Sequence, residues 1–253
     1  MQLYFKEFGQ GEPLILLHGL FGSSDNWLGV TPKLAEKFHV FILDLRNHGQ
    51  SPHAAEMNYP LLAEDVVSFL DARSLPEASV LGHSLGGKVA MQLALSHPHR
   101  VRRLIVADMS PRAYAPSHNK IFSALLALDL AKFQSRQQVE DALVLKIPDQ
   151  TIRRFLLKNL SRDDAGTLIW KINLRGLAEN YPRLGEAVFS STPFAKPALF
   201  IRGGKSNFVA PDDEAMIRQL FSKAEIKTIP EAKHWVHADA PEEFVRLVKD
   251  FLC

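Results

Sequence analysis

The chain has 253 residues, 46% of them hydrophobic, enough to bury one large core as a single α/β domain with room for an inserted lid. Thirty basic against 28 acidic residues leave a formal net charge of +2, a balance that argues against nucleic acid or an anionic membrane as the main partner. The single cysteine, Cys253, excludes a disulfide framework and any cysteine-rich metal site, and fits a reducing compartment.

Met1 to Phe8 alternate charged and apolar residues and lack the basic start and long apolar run of a secretion signal. No uncharged apolar run approaches the roughly 20 residues that span a bilayer. A cytoplasmic protein with no membrane span is the expectation.

Residues 2–8 read as a first strand by their period-2 alternation, and Gly9 to Pro13 as a turn. Leu14-Ile15-Leu16-Leu17 is a continuous apolar run, as expected of a strand buried on both faces. It runs into His18-Gly19-Leu20-Phe21-Gly22. A Gly-rich turn at the carboxyl end of a central strand can aim backbone N–H groups at one point, and Ser23, Ser24 and Asp25 suit a helix start. A helix is expected over Asn26 to Lys37, then a strand over Val40 to Leu43. The polar loop after it, Asp44-Leu45-Arg46-Asn47-His48-Gly49-Gln50-Ser51, reads as residues that fix the loop by hydrogen bonds. Leu62, Val66, Phe69 and Leu70 mark a helix over Tyr59 to Arg73.

The stretch Val80-Leu81-Gly82-His83-Ser84-Leu85-Gly86-Gly87 organises the chain. An apolar strand ends in Gly-x-Ser-x-Gly and passes at once into the helix-like Lys88 to Leu95, the strand, sharp turn and helix of a nucleophile elbow. Ser84 then sits at the tip of the turn, with Gly82 and Gly86 where a Cβ would collide.

Val101 to Ala107 is a further strand, ending in Asp108-Met109-Ser110-Pro111. From Ser117 to about Ser191 the sequence is helix-forming with no plausible buried strand, more helix than one βα unit needs. It reads as an inserted helical cap over residues 112–191 on a core of residues 1–111 and 192–253. Phe122, Leu126, Phe133, Phe155 and Trp170 are candidates for its underside. Pro197 to Arg202 and Glu225 to Ile229 are the last strands, a helix opens at Pro211-Asp212-Asp213-Glu214, and a final helix runs from about Pro241 to Leu252. The alternation predicts an α/β fold with a mostly parallel central sheet and helices on both faces.

Along its whole length the chain resembles the α/β-hydrolase superfamily, through His18-Gly19, the Asp44 to Ser51 loop, the Gly82 to Gly86 elbow, and His234-Trp235 before the last helix. Asp-x-Arg-Asn-His-Gly, Ser84-x-Gly-Gly-Lys88 and Arg202-Gly-Gly look most like the small bacterial esterases of the YbfF type and the abhydrolase-domain protein 11 group. The resemblance implies Ser84 as nucleophile and His234 as base, with His237 as its competitor three residues on. A serine hydroxyl needs such an imidazole to take its proton and return it to the leaving group. His83, His97 and His99 read as packing or helix-terminal residues.

Many relatives carry the acid as Gly-x-x-Asp, where this chain has Gly204-Lys205-Ser206-Asn207. An amide does not stabilise an imidazolium as a carboxylate does. Asp108, at the end of the strand after the elbow helix, is therefore assigned as the orienting acid, with Asp212 and Asp213 as fallbacks. By resemblance the oxyanion hole is made by the backbone N–H groups of Leu20 and Leu85.

These readings converge on a serine carboxylic-ester hydrolase of the EC 3.1 class, acting through an acyl-enzyme with neither metal nor organic cofactor. Its partner is a small-molecule ester, or a thioester such as an acyl-CoA. Arg153, Arg154, Lys158 and Arg162 of the cap are candidates to meet a phosphate-bearing acyl donor, against the alternative of a solvated helix face. Carbon–carbon bond hydrolysis and lactonase chemistry share the same residues. A non-catalytic small-ligand receptor on this fold is the reading from another class.

Overall fold

A computed structural model describes all 253 residues. In chain order the strands are β1 (Phe5–Phe8), β2 (Glu12–Leu17), β3 (Phe38–Leu43), β4 (Ala78–His83), β5 (Val101–Ala107), β6 (Leu160–Arg162), β7 (Leu168–Trp170), β8 (Phe194–Gly203) and β9 (Phe221–Ile229). The helices are α1 (Thr31–Leu34), α2 (Tyr59–Ala72), α3 (Leu85–Ser96), α4 (Asn119–Leu126), α5 (Arg136–Leu143), α6 (Gln150–Leu157), α7 (Leu174–Leu184), α8 (Asp213–Leu220), α9 (Val236–Asp239) and α10 (Pro241–Leu252).

Seven strands form one sheet in the order β1-β3-β2-β4-β5-β8-β9. Only β1 runs antiparallel; every other neighbouring pair is parallel. The apolar runs at Leu14–Leu17, Val80–Leu81 and Leu104–Ala107 are fully buried, because helices cover both faces of a parallel sheet. The carboxyl ends of β2, β4, β5 and β8 lie side by side, so the loops after them meet at one edge of the sheet. This is where open α/β sheets place ligands.

Two departures from the sequence reading have local causes. The segment expected to be helical over Asn26 to Lys37 is a 3-10 turn, Ser24–Trp27, followed by the single turn of α1, with Gly29 and Pro32 interrupting any longer helix. Within the cap, where no strand was expected, β6 and β7 pair as an antiparallel hairpin around the Asp163 to Thr167 turn. Its strands are three residues each, too short to display a period.

Between β5 and β8 the chain forms α4 to α7 and this hairpin, an inserted helical region. Its buried Phe122, Leu156 and Leu177 belong to the same hydrophobic cluster as Leu62, Val89 and Val106 of the core, so region and core share one interior. Three asparagines fasten the two together. Asn159 Nδ2 donates to the Phe21 carbonyl, Asn173 Nδ2 to Asn47 Oδ1, and Asn180 Nδ2 to the Ala55 carbonyl. Phe122 and the half-buried Phe155 and Trp170 do pack inward, whereas Leu126 is exposed. No helix is long and apolar enough to cross a membrane.

Candidate active site

The turn between β4 and α3 is tight. Ser84 sits at φ 53°, ψ −117°, a strained region for a residue with a Cβ and one that costs about 1–3 kcal/mol. The residues two positions to either side must be glycine. A Cβ on Gly82 would lie 2.0 Å from the Gly86 carbonyl oxygen, and one on Gly86 would lie 2.3 Å from that of Leu17. The strain lifts the Ser84 side chain clear of the turn at the sheet's carboxyl edge.

Two buried histidines shape the loop facing it. His18 Nε2 accepts from the Leu45 N–H at 3.0 Å while Nδ1 donates to the Gly19 carbonyl at 2.8 Å. His48 does the same one loop away, accepting from the Phe21 N–H at 3.3 Å and donating to the Arg46 carbonyl at 3.0 Å. Each ring thus uses one nitrogen as acceptor and one as donor, which only the neutral form can do. Burial agrees, pushing His18 down to about 4 and His48 down to about 3. The Gly86 N–H then sews the two loops together by donating to the His18 carbonyl at 3.1 Å. The backbone N–H groups of Leu20 and Leu85 are left without any protein acceptor.

The polar loop after β3 is a brace. Arg46 grips Asp65 through Nε and Nη2, at 2.6 and 2.8 Å, and both are buried. Asp44 accepts from the Ser24 and Gln50 N–H groups.

Asp108, itself at a positive φ of 49°, is fully buried and spends its carboxylate on three donors. Oδ1 accepts from the Gly203 N–H at 2.9 Å; Oδ2 accepts from His234 Nδ1 at 2.7 Å and from the Ser206 hydroxyl. The Phe208 ring stacks on the other side of His234, and His83 Nε2 donates to the His234 carbonyl at 2.9 Å. Burial holds His83 well below its ordinary range, so it adds no positive charge beside His234. His237 does not reach Asp108. It is buried between Trp27 and His83, and burial pushes it down to about 3.

Ser84 stands between two chambers. One, of about 310 Å³, is lined by Phe21, Ile152, Phe155, Trp235 and His234 among others. The other, of about 70 Å³, lies toward Leu85, Met109 and Leu184. Leu20, Ser84, His118 and Phe208 line both.

The sequence profile of the alpha/beta hydrolase fold family matches residues 12–241, most of the chain. The chain belongs to the α/β-hydrolase family. It is 35% identical over 243 residues to the esterase YbfF of Escherichia coli, covering 95% of this chain and 92% of that one. To the sn-1-specific diacylglycerol lipase ABHD11 of Mus musculus it is 36% identical over 247 residues, covering 94% of this chain and 80% of the other. A solved marine microorganism esterase superposes with a TM-score of 0.96 at 38% identity, covering 99% of each chain.

In this α/β hydrolase, several of the residues singled out in the sequence lie away from the chambers. Asn207 and Asp212 are exposed, and the buried Asp213 holds Arg112 and the Ala210 N–H. Of the basic residues in the cap, Arg153 is buried and tied to the Ile147 and Pro148 carbonyls, and Arg162 bonds the Gln134 carbonyl. Arg154 and Lys158 are exposed, and none of the four lines a chamber. Conversely, Ser206, Phe208, His118 and the His83 contact to His234 were not legible as site features. The only sequence signal was for Ser206, a hydroxyl in the loop that approaches Asp108.

Proposed function

We propose that this hydrolase cleaves carboxylic esters through an acyl-enzyme on Ser84, with His234 as base and Asp108 as its orienting acid. The observation that carries the reading is the 2.7 Å bond from His234 Nδ1 to a fully buried carboxylate, in a pocket that also holds a serine on a strained elbow. The relatives named as esterases and as a diacylglycerol lipase support the same reaction class.

In the first half-reaction Ser84 Oγ bonds the ester carbonyl carbon and its proton passes to His234. The developing oxyanion lies against the free N–H groups of Leu20 and Leu85, donors that commonly contribute about 3 kcal/mol each. The bond to the alcohol breaks as His234 returns the proton to the leaving oxygen. In the second half, water bonds the acyl carbon and gives its proton to His234. The acyl–Oγ bond then breaks and the proton goes back to Ser84.

Asp108 stabilises the imidazolium in both halves. The Gly203 N–H on Oδ1 and the Ser206 hydroxyl, which shares Oδ2 with His234, fix the carboxylate in that position. A thioester would react by the same steps, but the cap's basic residues lie off the chambers, which leaves an oxygen ester as the preferred reading.

The test is hydrolysis of p-nitrophenyl esters, with folding followed by circular dichroism. Ser84→Ala and Asp108→Asn lose about a thousandfold or more in kcat, while Asp212→Asn keeps its rate. A fluorophosphonate probe labels the wild type and leaves Ser84→Ala unlabelled. Labelling or turnover that survives in Ser84→Ala overturns the assignment.

A further inference from the structure

We propose that the two chambers divide the ester between them: the 70 Å³ chamber beside Leu85 takes the acyl chain and limits its length, and the 310 Å³ chamber beside His234 takes the leaving alcohol. This rests on the acyl-enzyme reading above and adds which half of the substrate lies where.

The argument begins with the proton. The group that protonates the leaving oxygen must touch it, and His234 lines the larger chamber alone. The alcohol therefore departs into that chamber, and the water of the second half-reaction reaches His234 by the same route. The acyl carbon meanwhile stays bonded to Ser84 with its oxygen against the Leu85 N–H, and Leu85 lines only the smaller chamber. The chain beyond that carbon has the smaller chamber to enter.

The chemistry of the smaller chamber fits an unsubstituted alkyl chain, because its polar groups are already spent. Lys88 Nζ donates to the Pro111, Arg112 and Glu186 carbonyls, the full complement of an ammonium. The Tyr59 hydroxyl donates to the Leu184 carbonyl, the Tyr114 hydroxyl to the Phe208 carbonyl, and the Tyr181 hydroxyl is engaged by His118. What remains facing the space is aromatic and aliphatic: Met109, Leu184, Leu85 and the tyrosine rings.

Size sets the limit. At about 70 Å³ the chamber has less than a quarter of the volume of its neighbour, so short acyl chains fill it. Leu184 and Tyr181 wall the chamber from the core side, and a longer chain leaves it past the exposed Ala115.

The experiment varies each half of the substrate separately: p-nitrophenyl esters from acetate to decanoate, then butanoate esters of methanol, butanol and octanol. In the wild type kcat/KM peaks among the shorter acyl chains and falls about tenfold or more by decanoate. Leu184→Ala, which lengthens the smaller chamber, moves the acyl optimum up by about two carbons and leaves the ranking of alcohols as it was. Ile152→Ala, in the larger chamber only, changes the alcohol ranking and keeps the acyl optimum. Ala115→Phe at the exposed rim of the smaller chamber shortens the optimum, and stands in if Leu184→Ala does not fold. A reversed pattern, with Leu184→Ala or Ala115→Phe altering alcohol preference or Ile152→Ala altering acyl preference, overturns the proposal. So does an acyl optimum that none of them moves. Loss of all ester hydrolysis in the wild type, or its persistence in Ser84→Ala, would instead strike the acyl-enzyme reading itself.

Discussion

The Phe208 ring lies flat on the His234 imidazole, with centroids 3.7 Å apart and planes 18° from parallel. On its Nδ1 edge the imidazole is bonded to Asp108, which is itself held by the Ser206 hydroxyl and the Gly203 N–H. The last residue of β8 and the loop after it thus supply the stacking face and two of the donors that fix Asp108. The two side chains separate in their effects. Ser206 touches Asp108 but lines neither chamber, so Ser206→Ala lowers kcat by about tenfold to a hundredfold, the worth of a hydrogen bond to a charged group, and leaves KM within about twofold. Phe208 also lines both chambers, so Phe208→Ala changes kcat and KM together. Steady-state kinetics on p-nitrophenyl butanoate distinguish them, and a Ser206→Ala enzyme with wild-type kcat would remove Ser206 from the site.

The elbow glycines are a test of backbone packing. Gly82→Ala and Gly86→Ala drive a Cβ into the carbonyls of Gly86 and Leu17, where no flexible side chain can yield. Each costs more than about 4 kcal/mol or prevents folding. Gly29, whose added Cβ would meet nothing within 4 Å, is the control: Gly29→Ala leaves stability unchanged or raises it by about 0.4–1 kcal/mol. Urea denaturation of the three variants measures the contrast. A soluble Gly82→Ala protein within about 1 kcal/mol of wild type would mean the turn relaxes.

Lys88 predicts a different kind of loss. Buried in the elbow helix, its ammonium collects the carbonyls of Pro111 and Arg112, where the inserted region begins, and of Glu186, where it ends. Lys88→Met fills the space but leaves the Arg112 and Glu186 carbonyls without a donor, while Pro111 keeps the Val188 N–H, costing about 3 kcal/mol or more. Exposed Lys120→Met changes stability by less than about 0.5 kcal/mol. Thermal melts compare the two, and equal melting temperatures would show that water replaces the ammonium.

What was legible in the sequence was what local physics demands. The elbow announces itself because its glycines, its serine and its helix are consecutive. The strand at Val101–Ala107 and the helix at Pro241–Leu252 stand as read, the first by its apolar Leu104–Ala107, the second opened by Pro241 with Glu242 and Glu243 in its first turn. Asp108 could be singled out because Asn207 lacks a charge, a contrast visible without coordinates. Phe208, His118 and Ser206 could not be read the same way. Their roles depend on which loop comes to rest against His234, and neither period nor propensity encodes that. The β6–β7 hairpin escaped for want of length, and the broken helix after Trp27 because Gly29 and Pro32 were outweighed by the helix formers around them.

The buried histidines give the chain an acid limit. His18 and His48 are neutral in the folded state and pushed down to about 4 and about 3, from an ordinary value of 6.5, chiefly by burial. Unfolding returns both to water, so across the window from about 6.5 down to about 4 the unfolded chain binds more protons than the folded one. Their contribution to stability is therefore complete above about 6.5 and drains away as pH falls, at up to about 1.4 kcal/mol per pH unit for each ring. Protonation also cancels the acceptors that hold the Leu45 and Phe21 N–H groups, so the loop facing Ser84 loosens with it. His48→Gln offers Phe21 an acceptor that does not titrate. Between pH 6 and 4.5 its stability, measured by urea denaturation at each pH, declines by about 1.4 kcal/mol per unit less steeply than wild type. The carboxylates titrate alike in both proteins and cancel in the comparison. Parallel slopes would show that His48 stays protonated in the fold or neutral in the unfolded chain, contrary to its two hydrogen bonds.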